Sequence, residues 1–315
     1  MKVHYNIDEI PVIKNAIVSQ GTFDGVHLAH KKIIERLKQI ASIKNGESVI
    51  ITFEPHPRIV LLPLDHGLQL LSTLNEKINL LEKAGVDHLI ILPFTKEFSR
   101  LSSEQFIRNI LVNKIKTNTL VIGYDHRFGK NREGSFEHLK NSASLYEFEV
   151  EEIPEQDIDE IAVSSTKIRQ ALLNNDIQTA QKYLGNSYSL EGKVIKGKQL
   201  GRTIGYPTAN IEVENSYKLI PQDGVYAVWV WYNKARFGGM LNIGNNPTIK
   251  DKGRSIEVNI FDFENEIYTE NLKIEFVSKL RNEEKFDGLE ALKNQLHLDK
   301  QNALAILNKI GVAII

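Results

Sequence analysis

The stretch Gly21-Thr22-Phe23-Asp24-Gly25-Val26-His27-Leu28-Ala29-His30 decides how this chain is read. A short apolar run, Ala16-Ile17-Val18-Ser19, precedes it. After it, Ile33, Ile34, Leu37, Ile40 and Ala41 recur at helix spacing. The decamer is therefore a glycine-bearing turn from a strand into a helix, with His27 and His30 on the first helical turn. Residues three apart share a helix face, and a helix start draws anions through its free N–H groups and its dipole. Two imidazoles placed there suit a polyphosphate. Spacing alone leaves a plainer reading open, that of a solvated face or an incidental core contact.

Working outward, the first half of the chain alternates short apolar runs with amphipathic helices. Strand candidates are Ala16–Ser19, Ser48–Phe53, His88–Leu92 and Thr119–Ile122. A helix is expected over Asn75–Ala84, stopped by Gly85. Another starts at Ser102, with Gln105 at capping-box spacing and Phe106, Ile107, Ile110 and Leu111 on one side. Such alternation implies a mainly parallel sheet with helices on its faces, where ligands sit beyond the carboxyl ends of the strands. After Gly185 the texture changes to short β-rich runs punctuated by glycine. Tyr226–Tyr232 ends at a hairpin turn, Asn233-Lys234, and Ile256–Phe263 and Leu272–Val277 read as further strands. A small antiparallel barrel or sandwich is expected there, closed by a helix over roughly residues 289–310. The domains expected are 1–185 and 186–315.

Composition narrows the classes. The 315 residues suffice for two domains, and 42% apolar with 25% charged content is that of a globular protein. Lysine plus arginine number 39 against 40 aspartate plus glutamate, a net charge of −1. That leaves no basic surplus of the kind a dedicated nucleic-acid binder carries. There is no cysteine, which removes disulfides, thiolate nucleophiles and cysteine-ligated metals and fits a reducing compartment. Met1 to Asp8 hold no signal-peptide core, and no apolar run reaches membrane-spanning length. The expectation is a cytoplasmic protein with neither nucleic-acid nor membrane partners.

Three further segments carry chemistry in the first half. Thr52-Phe53-Glu54-Pro55-His56-Pro57 closes the second strand, its prolines denying the loop further pairing. Gly123 to Arg132 follows the fourth strand with two glycines and three basic side chains besides His126. Ser164-Ser165-Thr166-Lys167-Ile168-Arg169 opens a helix with hydroxyls and cations. Each also has a dull explanation, as a cap or a solvated loop. Taken in this order, with the decamer, they resemble the FMN adenylyltransferase half of prokaryotic bifunctional riboflavin kinase/FAD synthetases, whose signature reads G-x-F-D-G-x-H-x-G-H. Ala29 stands where that family has glycine, and His126 where it has an aromatic residue.

The resemblance implies an α/β nucleotidyltransferase domain with a Rossmann-like parallel sheet. It implies that His27 and His30 hold the phosphates of ATP on a turn built from Gly21, Phe23, Asp24 and Gly25. Arg169, with Ser165 and Thr166, would stabilise charge on departing pyrophosphate. Asp125 would position the nucleotide, while His56 and Pro57 face FMN.

In the second half, Gly192 to Lys198 and Gly201-Arg202-Thr203-Ile204-Gly205-Tyr206-Pro207-Thr208-Ala209-Asn210 are glycine-rich and basic, without a Walker A ending. Thr208 and Asn210 are hard oxygen donors two residues apart, on one face of a strand, and suit Mg²⁺. Glu257, a carboxylate on an apolar strand, is the leading candidate for a base; alternation alone equally allows it to turn outward to solvent. Pro207–Asn210, Gly224-Val225-Tyr226, Asn242 to Thr248, Glu257 and Leu280-Arg281 resemble the riboflavin kinase half of the same enzymes. That resemblance implies Glu257 as base, Thr208 and Asn210 arranging Mg²⁺–ATP, Gly201 and Arg202 on ATP, and Arg281 on the flavin. Asn259 replaces the family's usual histidine. Riboflavin, FMN and ATP are the partners implied, and a weak homo-oligomer is allowed. Two rivals stay open: an adenylyltransferase for another acceptor, against which Pro207–Asn210 speaks, and a non-catalytic nucleotide- or flavin-binding regulator.

Overall fold

The computed structural model describes residues 1–62, 67–123, 127–130, 133–153, 163–197, 199–245 and 254–312. Two compact units divide the chain, Met1–Ser165 and Thr166–Ile315.

The first unit is a parallel sheet of six strands: β1 Lys2–His4, β2 Ile17–Gln20, β3 Ser48–Glu54, β4 His88–Pro93, β5 Thr119–Gly123 and β6 Glu149–Ile153. Their spatial order is β1-β4-β3-β2-β5-β6. The chain thus builds outward from β2 through β3 and β4, then returns to pair β5 with the other side of β2. This reversal leaves a crevice beyond the carboxyl ends of β2 and β5, and the decamer begins one residue after β2. β2 is buried along its whole length, as a central parallel strand covered on both faces must be. Helix α1, Leu28–Ile43, turns Ile34, Leu37, Ile40 and Ala41 inward. Against the same layer lies Leu81 of α3, Leu74–Lys83, the short helix α2, Pro57–Leu61, having come between them.

The expected capping box at Ser102 forms, and a second one appears that was not expected. Thr73 and Glu76 close a reciprocal box on α3, and Ser102 and Gln105 do the same on α4, Ser103–Phe106. Beyond Phe106 the helix widens to π geometry over Ile107–Ile115. Helix α5, Phe136–Tyr146, then leads into β6. All four expected strands form, joined by the edge strands β1 and β6 that apolar patterning does not mark. β6 reads Glu-Val-Glu-Glu-Ile; charge on an edge strand discourages pairing with a further chain.

Helix α6, Ser165–Leu173, spans the division, and α7, Ile177–Leu184, follows it. In α7 the Gln181 amide donates to the Phe276 and Val277 carbonyls at 2.6 and 3.3 Å. The second unit therefore starts ahead of Gly185. Its body is a closed barrel of β7 Ser189–Ile195, β8 Ala209–Glu212, β9 Gly224–Tyr232, β10 Ala235–Asn245, β11 Arg254–Ile260 and β12 Asn271–Arg281, ordered β10-β11-β8-β7-β12-β9. The expected β9–β10 hairpin turns on Asn233 and Lys234, both left-handed at φ 48° and 67°, the backbone that a tight two-residue hairpin needs. Between β7 and β8 lies one helical turn, α8, Leu200–Thr203. The last helix, α9, Leu289–Val312, buries Ala303 and Leu307 against Met240, Phe261 and Val277. The architecture is the expected one, a parallel α/β domain followed by a small antiparallel barrel and a terminal helix.

Candidate active sites

In the first unit the turn after β2 is tight. Gly25 sits at φ 81°, and Phe23 and Val26 are left-handed as well, at 46° and 42°, a strain that side chains adopt only when surroundings impose it. Asp24 supplies the imposition. Its buried carboxylate accepts from the Leu71 and Ser72 amides at 3.1 and 3.0 Å and from the Ser72 hydroxyl at 3.3 Å. Gly25 N–H donates to that hydroxyl, and Ser165 donates to the Asp24 carbonyl at 3.2 Å. Asp24 therefore contributes to the site by holding the turn. A side chain at Gly21 would meet the Phe23 ring at 3.2 Å.

His27 stands at the N-cap of α1, where no side chain caps the first turn. The His27 and His30 rings stack at 3.7 Å, and Phe23 lies against His30 at 4.9 Å. Burial, reinforced by the neighbouring His27 and Lys77, pushes the His30 imidazole well below its ordinary range. It is a neutral hydrogen-bonding group at pH 7, and its Nδ1 is buried without a partner among the described residues. Buried Ala29 lies between the two histidines on α1, which tolerates it. His56, also buried, accepts at Nδ1 from the Arg58 amide, and Pro57 opens α2 behind it. β5 ends at Gly123; Asp125 lies outside the described residues. Ser165 closes the first unit, and Thr166 and Arg169 belong to the second.

The second unit brings Thr208, Asn210 and Glu257 together across strands. Glu257 of β11 pairs with Asn210 of β8 on one side and Asn242 of β10 on the other. Thr208 Oγ1 donates to Glu257 Oε2 at 3.3 Å. A methyl group at Gly197 would fall 2.1 Å from the Asn210 amide, so that glycine makes room for it. Asn259, at the position unlike the family pattern, donates from Nδ2 to the Pro207 carbonyl at 2.7 Å and ties the Pro207–Asn210 segment to β11. Gly201 is required by its turn: its carbonyl accepts from Tyr206 N–H at 2.8 Å, and a side chain would meet the Tyr206 oxygen at 2.1 Å. Arg202 is exposed and reaches Glu266 at 3.4 Å. Beside this loop is a cavity of about 580 Å³ lined by Gly205, Tyr206, Lys293, His297 and Lys300, among others.

Arg281 is committed within the fold. Its guanidinium grips the buried Asp299 of α9 through Nε at 3.0 and 3.1 Å and Nη2 at 2.8 Å. Two residues beyond the expected set also enter. Glu283 accepts from Asn242 at 3.3 Å, and its carboxylate fills the space over Gly244 that any other residue would need. Lys77 is buried in α3 at a position where helical spacing from Leu81 calls for an apolar residue; that mismatch was its signal.

A doubly wound crevice with an imidazole-bearing helix start, followed by a barrel carrying a hydroxyl–carboxylate–amide set beside a glycine-rich loop, defines a two-domain nucleotide-using transferase. Comparison with known proteins agrees. The FAD synthetase family model matches residues 10–167 and the riboflavin kinase model residues 184–307. The bifunctional riboflavin kinase/FMN adenylyltransferase of Listeria monocytogenes is 40% identical over 297 residues, covering 94% of each chain. Its Bacillus subtilis counterpart is 38% identical over 304 residues, 94% of this chain and 93% of that one. A solved structure from Streptococcus pneumoniae, described as a macrolide-efflux protein, is 31% identical with a TM-score of 0.83 over 95% of this chain and 97% of that one. No helix among the described residues is long and apolar enough to cross a membrane. The chain belongs to the bifunctional riboflavin kinase/FMN adenylyltransferase family.

Proposed function

We propose that the barrel transfers the γ-phosphoryl group of ATP to the 5′-hydroxyl of riboflavin, and that the α/β domain then joins AMP from a second ATP to FMN, giving FAD and pyrophosphate. The observation that carries this reading is the convergence of Thr208 and Asn210 with Glu257, from two sequence segments far apart, in a chain that also stacks His27 on His30 at a helix start. Glu257 takes the proton as the hydroxyl oxygen attacks phosphorus and ADP leaves. Gly201 and Arg202 act on the phosphates of that ATP, and Arg281 orders the flavin side through its grip on α9.

The donors present fit Mg²⁺: all are hard oxygens, and among the described residues no cluster of three His, Asp or Glu competes for a softer ion. Thr208 and Asn210 would hold it, and when bound it would neutralise phosphate charge.

At the α/β site, positioning and charge neutralisation do the work, since no nucleophile is needed beyond the FMN phosphate. His27 and His30 donate to the triphosphate on the turn formed by Gly21, Phe23, Asp24 and Gly25. Ser165, Thr166 and Arg169 stabilise the leaving pyrophosphate, Asp125 orients the nucleotide, and His56 and Pro57 border the FMN. We take residues 1–185 and 186–315 as the functional division, in a cytoplasmic protein.

Chromatographic resolution of FMN and FAD tests the scheme. Glu257→Ala should cut FMN formation by about 10²-fold or more and leave FAD formation from supplied FMN intact. His27→Ala with His30→Ala should stop the chain at FMN. Loss of both activities in a folded Glu257→Ala protein would contradict separate sites.

A further inference from the structure

On α3 the core-facing positions include Leu74, Ile78 and Leu81, and Lys77 sits among them, 4% exposed. Burying an ammonium group costs stability unless its charge is balanced or used. Its one hydrogen bond among the described residues runs to Thr52 Oγ1 at 3.3 Å, and Thr52 in turn donates to the Thr22 carbonyl at 3.2 Å. Thr22 is the second residue of the decamer. The ammonium therefore stands two hydrogen bonds behind the turn, with further N–H donors in hand.

We propose that Lys77 is a positioning residue for adenylyl transfer, propping the Thr22 end of the turn through Thr52 and supplying the fixed positive charge beneath the triphosphate. This rests on the reading that the turn binds ATP. His30 does not provide that charge, because burial, reinforced by His27 and Lys77, keeps it neutral. Within the unit, His27 on the same helix and Lys77 on α3 are the groups whose charge reaches His30. Burial lowers the Lys77 ammonium from its ordinary range, and the carboxylates of Asp24 in the turn and Glu54 at the end of β3 oppose that shift and favour the charged form. Lysine gives the charge and the His30 imidazole gives direction.

The test uses the full chain with Lys77→Met, which keeps the stem and removes the charge, and Lys77→Arg, which keeps the charge. In Lys77→Met the KM for ATP in FAD formation should rise about tenfold or more, the scale of one charge-assisted interaction. Riboflavin phosphorylation by the same protein should be unchanged, and Lys77→Arg should recover much of the loss. Carbon-labelled histidine, with His30 assigned through His30→Gln, should show His30 titrating at higher pH in Lys77→Met than in the parent. Thr52→Val, which cuts the prop and spares the charge, should raise KM less and leave that titration in place. An unmoved His30 titration in Lys77→Met overturns the proposal. So does a loss of FAD formation confined to kcat and tracking a lower melting temperature. Persistent FAD formation in the His27/His30 double variant would instead strike the site reading, while the His30 titration would still report on Lys77.

Discussion

Asp24→Ala separates a residue that holds a turn from one that holds a ligand. The native carboxylate is 2% exposed and accepts from Leu71 N–H, Ser72 N–H and Ser72 O–H. Leu71 and Ser72 are themselves buried, so alanine leaves their donors without an acceptor and without easy access to water. A hydrogen bond to a charged group contributes about 1.5–3 kcal/mol, and three that share one carboxylate are not additive. A loss of about 3–5 kcal/mol follows, a large part of the 5–15 kcal/mol that typically stabilises a domain. At about 2–4 °C per kcal/mol for a unit of this size, the melting transition of the α/β unit should fall by about 6–20 °C. Scanning calorimetry, with riboflavin phosphorylation as the internal control for the barrel, reads this directly. Asp24→Asn should behave similarly, because an amide turns one donor toward the two N–H groups. If Asp24→Ala melted within 2 °C of the parent, an experimental-error margin, while FAD formation vanished, the anchoring argument would be refuted and Asp24 would belong to the ligand.

Two other expectations follow from buried charges. Asp299→Ala removes the partner of Arg281, whose guanidinium is mostly buried at 16% exposure; breaking such a pair costs about 3–5 kcal/mol, so the barrel transition should drop and FMN formation with it, while FAD formation from FMN persists, and an unshifted barrel transition would disprove the pin. Burial lowers the imidazoles of both His30 and His4, the latter also pressed by His88 and Lys2, so the unfolded chain binds more protons than the native one below about pH 6.5. Their contribution to stability is present above that pH and is lost as pH falls toward the native values, an effect opposed lower down by half-buried Glu54, whose carboxyl is raised. The α/β melting temperature should therefore decline as pH is lowered from about 7 to 5.5, less so in His30→Gln, and a flat or rising profile would refute the assignment.

Much of the molecule was legible in order along the chain. Strand, glycine turn and helix around Gly21–His30, the capping box at Ser102, the Asn233-Lys234 hairpin and the Pro207–Asn210 segment are local patterns, set by backbone sterics and by hydrogen bonds within a few residues. Periodicity could not mark β1, only three residues long, or the charged edge strand β6, because edges do not need an apolar face. Nor could it show that β5 returns to pair with β2, which is what opens the crevice where the decamer sits. Asp24 meeting Leu71 and Ser72, Arg281 meeting Asp299, and Thr208 meeting Glu257 are contacts between segments far apart in sequence. Lys77 shows the same divide within one residue: helix spacing exposes it as an oddity, but its use depends on Thr52 and the turn that folding brings over it. Local conformational preference is a property of neighbours in the chain. The fate of a buried charge is a property of whatever the assembled core places beside it.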